Sequence, residues 1–83
     1  MGDVAVTIRV SLEDLKLIRE VEAKIKAMER IAKIEEEDLG FGIKVLRVTA
    51  VVKDSEGQMD KLEDALREIE GVSEIDILGV DLI

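Results

Sequence analysis

The feature that most narrows the fold is the way hydrophobic period switches along the chain. Residues 4–10 (Val-Ala-Val-Thr-Ile-Arg-Val) alternate strictly: Val4, Val6, Ile8 and Val10 share one face, and Ala5, Thr7 and Arg9 share the other. Period two with β-branched side chains specifies a strand with one buried face. From Leu12 the period changes. Leu12, Leu15, Ile18, Val21, Ile25 and Met28 recur at spacings of three and four, which predicts an amphipathic helix over roughly residues 12–29. Ser11, with Asp14 three residues on, is placed as the N-cap. Glu20–Lys24 and Glu22–Lys26 add favourable pairs one turn apart.

Residues 31–37 (Ile-Ala-Lys-Ile-Glu-Glu-Glu) fit either a second strand or a continuation of the helix, because Ala, Lys and Glu are good helix formers. Asp38-Leu39-Gly40-Phe41-Gly42 reads as a connection. Residues 43–52 form the strongest strand, with Leu46, Val48, Ala50 and Val52 inward. Its other face also holds Ile43, Val45 and Val51, too apolar for a surface left wholly to water. A loop over residues 53–57 leads to a second helix, about 59–69, marked by Met59, Leu62, Leu66 and Ile69. Asp60, Glu63 and Asp64 lie near its positive end, and Gly71 is placed to stop it in a left-handed cap. Residues 73–80 supply a last strand.

The order β-α-β-β-α-β, with right-handed crossovers, gives an α+β, ferredoxin-like two-layer sandwich: a four-stranded antiparallel sheet with two helices on one face. Eighty-three residues are expected to make one domain, 1–83.

Composition removes most chemistry. Cysteine and histidine are absent, so disulfides, thiolate ligands, the usual zinc ligand and the usual general base are excluded. Ser11, Ser55 and Ser73 have no base to activate them, and no catalytic residue, cofactor or metal is expected; the chain reads as a non-enzyme. Twelve Lys and Arg stand against 20 Asp and Glu, a net charge of −8. That balance opposes nucleic-acid backbones and anionic membranes. RNA readers on this fold stack bases on sheet aromatics, and Phe41 is the sole aromatic. No apolar run approaches the ~18–20 residues of a membrane span. Met1-Gly2-Asp3-Val4 does not open a signal peptide, and Val6 occupies the place where a myristoylation site wants Ser or Thr. The expected location is the cytoplasm.

Two local features remain. Glu35-Glu36-Glu37-Asp38 is the densest carboxylate run; on a strand, Glu35 and Glu37 share a face, which serves a hard cation or, more simply, a solvated and aggregation-resistant edge. Gly40-Phe41-Gly42 opens a strand rather than a helix, so it is no phosphate loop. It is either an aromatic anchor on a tip or a core phenylalanine beside two turn glycines.

In order and spacing, several segments resemble the translation elongation factor 1-beta family in its short archaeal form. They are Met1-Gly2-Asp3-Val4, Ile8-Arg9-Val10, Lys33-Ile34-Glu35-Glu36-Glu37, Phe41-Gly42-Ile43-Lys44, Leu46, Val51-Val52, Asp54, Glu56-Gly57 and Ile69-Glu70-Gly71-Val72. The resemblance implies the same βαββαβ fold and a guanine nucleotide exchange factor that promotes GDP release from elongation factor 1-alpha. It implies partner contacts by Phe41, as an aromatic anchor, and by Gly42 and Lys44. The chain departs from the family in lacking proline, in having Asp38-Leu39-Gly40 before Phe41-Gly42, and in carrying Asp81-Leu82-Ile83 where relatives have a basic residue directed at the Mg²⁺/phosphate site. The same departures fit a remodelled ferredoxin-like scaffold without exchange activity. A third reading is a homodimerising regulatory module that uses the apolar strand 43–52.

Overall fold

A computed structural model describes residues 2–54 and 57–83. Met1, and Ser55-Glu56 of the expected 53–57 loop, lie outside the described residues. The elements are β1 (Asp3–Leu12), a 3₁₀ turn (Leu15–Leu17), α1 (Ile18–Lys26), β2 (Ile31–Gly40), β3 (Ile43–Lys53), α2 (Gln58–Arg67) and β4 (Val72–Leu82). The strands form one sheet in the order β2-β3-β1-β4, with every neighbouring pair antiparallel. This is the ferredoxin-like sandwich that the alternation of periods predicts.

The core is aliphatic and lies between sheet and helices. Val4, Val6, Ile8 and Val10 of β1 and Leu46, Val48, Ala50 and Val52 of β3 meet Val21 and Ile25 of α1, Leu62 and Leu66 of α2, and Val72 and Ile75 of β4. On the other face of β3, Val45 is also buried, Val51 is half-buried and Ile43 is exposed. β3 is an interior strand, paired on both sides, so it offers a partner no free edge.

The first helix is shorter than its periodicity predicts. Leu12 continues β1, where it pairs with Val72, and Ser11 pairs with Glu74. The cap is therefore Asp14 and not Ser11: its carboxylate accepts the Lys16 N–H at 2.9 Å and starts the 3₁₀ turn. At the other end, α1 turns back into β2 through Arg30, which takes φ 73°, and whose carbonyl accepts the Val51 N–H at 2.8 Å. The ambiguous segment 31–37 is strand, continuing to Gly40, because it pairs with β3 along its length. The second helix and last strand lie within two residues of expectation, and Gly71 takes φ +101° between them.

Candidate partner-binding hairpin

β2 and β3 are joined by as tight a turn as a hairpin allows. Gly40 pairs with Ile43, leaving Phe41 and Gly42 as a two-residue loop with φ of 55° and 76°. Positive φ at both central positions is the requirement of a type I′ turn, whose twist matches that of the flanking strands. Gly42 meets it without strain. The approach is set by Asp38, whose Oδ1 accepts the Gly40 N–H at 2.8 Å, an Asx turn, and by a register shift between Asp38 and Gly40.

Phe41 does not fit this turn by conformational preference. A left-handed backbone costs a non-glycine residue roughly 1–2 kcal/mol, and the ring recovers none of it by burial: its relative exposure is 103%. The reading of Phe41 as a core residue is thus excluded by geometry. Leu39 and Ile43, on either side, are also exposed, so the tip presents three apolar side chains. Leu39 has no role in the sequence reading; only its spacing around Gly-Phe-Gly signals that it joins this group. Lys44 is exposed and lies directly opposite Asp38.

The pairing register fixes the two ends of the sheet. Phe41 stands at one end. At the other, the Ile83 N–H donates to the Asp3 carbonyl at 3.0 Å, and Asp3 pairs with Lys53. Asp81, Leu82 and Ile83 are therefore remote from the hairpin.

Glu35 and Glu37 share the open face of the sheet, and cations already face them. Lys33 Nζ lies 2.9 Å from Glu35 Oε1, and Glu35 sits opposite Arg47 in the ladder. Arg47 Nη1 donates to Glu37 Oε2 at 3.3 Å, and Arg9 Nε stands 4.0 Å from Glu37 Oε1. Among the described residues no three acidic side chains converge as metal ligands would. The hydrogen bond from Lys33, and then its charge, hold the Glu35 carboxyl below the usual glutamate range. A depressed folded-state pKa stabilises the fold above the unfolded pKa and ceases to do so as pH falls through the folded value. An NMR titration should show the Glu35 midpoint rising in Lys33→Met; an unmoved midpoint would remove this pairing from solution.

Among the described residues, shallow clefts of about 360 and 320 Å³ lie elsewhere: the first is lined by Arg67 and the start of β4, the second by α2, the turn after α1 and Val52 of β3. Neither touches the hairpin. Among the described residues no helix is long and apolar enough to cross a membrane.

Fold and hairpin together define a ferredoxin-like module that holds an aromatic out to solvent at the end of a rigid sheet. By fold it is similar to the ACT domain from GTP pyrophosphokinase of Chlorobium tepidum, with a TM-score of 0.71 at 22% identity, over 95% of this chain and 90% of that one. By sequence the likeness is more specific. The EF-1 guanine nucleotide exchange domain pattern matches residues 5–83. The elongation factor 1-beta of Thermoplasma acidophilum is 38% identical over the whole of both chains. That of Methanospirillum hungatei is 40% identical, again over the whole of both, and that of Methanosphaerula palustris is 41% identical over 99% of each. The chain belongs to the EF-1 guanine nucleotide exchange domain family.

Proposed function

We propose that this chain, acting as one unit over residues 1–83, speeds GDP release from elongation factor 1-alpha by docking its β2–β3 hairpin on that GTPase. The observation that carries the reading is Phe41: fully exposed, in a strained backbone conformation, at the tip of a well-paired hairpin. Strain at a solvent-exposed tip brings the fold nothing, and such strain concentrates where a ligand or partner is gripped. The ring is the anchor, with Leu39 and Ile43 widening the apolar contact. Gly42 permits the turn that aims it, and Lys44 supplies a cation beside it.

Exchange requires no bond chemistry from this chain. A factor that binds the nucleotide-free GTPase more tightly than the GDP-bound form must, by linkage, weaken GDP by the same factor. Family membership and the absence of His and Cys from the sequence support a protein that is not an enzyme in the bond-making sense and uses no cofactor of its own. The net charge of −8 disfavours direct contact with nucleic acid or anionic lipid, and the cytoplasm is where such a partner is met.

The test is to mix the protein with elongation factor 1-alpha loaded with fluorescent GDP and chase with unlabelled nucleotide. Accelerated loss of fluorescence supports the reading; an unchanged release rate at micromolar protein overturns it in favour of a scaffold without exchange activity. Within this reading Lys44→Ala should slow association by less than about tenfold and reduce its salt dependence, leaving dissociation nearly unchanged, as expected of a charge at the rim of an interface. Stopped-flow association at two ionic strengths checks this.

A further inference from the structure

β4 is an edge strand, and its second half is uncovered. Helix α2 packs over its beginning, where Val72 and Ile75 are buried. Beyond that cover Val80 is 51% exposed, Leu82 77% and Ile83 74%, with Ile77 and Leu78 also exposed. Val80 and Leu82 pair with the buried Val6 and Val4, so they lie on the helix side of the sheet yet meet water. The backbone there is open as well. The bond from Ile83 N–H to Asp3 C=O, with the pairs Ala5–Asp81 and Thr7–Gly79, fixes the alternation: residues 79, 81 and 83 face β1, and Val80 and Leu82 direct their N–H and C=O outward. Such an edge is a template for another strand.

The sequence of this edge says which strand fits. Residues 77–83 read Ile-Leu-Gly-Val-Asp-Leu-Ile, and backwards Ile-Leu-Asp-Val-Gly-Leu-Ile: a palindrome apart from the exchange of Gly79 and Asp81. A two-fold axis through Val80 therefore sets Val80 against Val80 and Leu78 against Leu82, and the register shift between Gly79 and Ile77 ends the regular pairing there. Asp81 faces Gly79 of the other copy, so no carboxylate in the segment meets another. An isologous interface demands this self-complementarity. We infer that β4 pairs antiparallel with β4 of a second copy of this chain, centred on Val80, extending the sheet to eight strands with both helix layers on one side.

Two properties make the pairing testable. Each copy carries a net charge of −8, so general repulsion opposes a contact whose own surface is uncharged at its centre, and salt should tighten the dimer. Because the Val80 N–H points away from β1, Val80→Pro removes the central intermolecular bonds and spares the β1–β4 ladder, a position where an edge strand accepts proline. Sedimentation equilibrium should show the mass rising with concentration from 9.2 kDa towards twice that value. Association should tighten by about tenfold or more between about 0.01 M and 1 M salt, as the Debye length falls from about 30 Å to about 3 Å. Val80→Pro should remain monomeric with an unchanged circular dichroism spectrum. Should that variant fail to fold, Val80→Lys, which sets two ammonium groups together on the axis, is expected to be monomeric too. A 9.2 kDa species at every concentration and salt overturns the inference and leaves this edge to a strand of a different protein. A folded Val80 variant that dimerises like the parent overturns it equally.

Discussion

Phe41→Asn should melt at a higher temperature than the parent and lose most of its ability to speed GDP release. The two effects have separate causes in one residue. Phe41 sits at φ 55° followed by Gly42 at φ 76°, and Asn-Gly is the pair that a type I′ turn prefers. Relieving the aromatic residue of a left-handed backbone is worth roughly 1 kcal/mol, or about 4–8 °C for a domain of this size. Nothing offsets the gain, because a ring that is entirely exposed has no packing to lose. At the partner the balance reverses. Truncating an aromatic anchor typically removes about 2 kcal/mol or more of binding, roughly thirtyfold in affinity. A core phenylalanine would behave in the opposite way, with a loss of about 3–5 kcal/mol of stability on truncation. Thermal denaturation and the GDP-release assay on one preparation decide the matter. A lower melting temperature, or undiminished exchange, would show that the ring does not serve as the anchor.

That opposition of stability and activity also explains how much of the site was legible in the sequence. Gly40-Phe41-Gly42 marks a connection in any reading, but exposure depends on how short the turn is. Turn length depends on the register shift at Asp38–Gly40, which is set by pairing between β2 and β3 and not by local preference. The same cause blurred β2 itself. Ile31 and Ile34 are three apart, a helical spacing, yet both face the helices, opposite Ala50 and Val48, because the register shifts between Ile31 and Lys33. A bulge turns a strand's period from two to three for one step, and a single sequence cannot distinguish that from a turn of helix. Ile77 and Val80 repeat the pattern in β4 across the shift next to Thr7. The buried faces of β1 and of the inner part of β3 are read correctly because they alternate unbroken from Val4 to Val10 and from Leu46 to Val52. The start of α1 is misread for a different reason. Leu12 and Leu15 carry helical spacing into a residue that pairs with Val72, and the choice between helix and ladder is made by a strand 60 positions away. Its end is unmarked because Arg30 takes a positive φ where a glycine would have announced the turn.

The glycine that does announce a turn should be the one the fold tolerates losing least. Gly71→Ala is expected to destabilise by about 2–5 kcal/mol. One part is conformational: Gly71 has φ +101°, outside the regions open to a Cβ, at roughly 1–2 kcal/mol. The other is steric. A Cβ there would stand 3.0 Å from Val21 Cγ2 and 3.2 Å from Leu17 Cδ1. Val21 is fully buried in the core and has nowhere to retreat, so overpacking of about 1–3 kcal/mol follows. The residue is pinned as well, since its carbonyl accepts the Glu13 N–H at 2.9 Å and ties the exit of α2 to the entry of the first crossover. At about 4–8 °C per kcal/mol the melting temperature should fall by roughly 8–40 °C. Two further alanine variants separate the causes. Gly57 has φ +85° and no neighbour within 4 Å among the described residues, so Gly57→Ala should show the conformational part alone. Gly79 has neither a left-handed φ nor a neighbour within 4 Å, so Gly79→Ala should lie within about 0.5 kcal/mol of the parent. If Gly71→Ala is no worse than Gly57→Ala, then Val21 and Leu17 do not pack against this turn as closely as the fold requires, and the junction between the two crossover units is looser than its geometry implies.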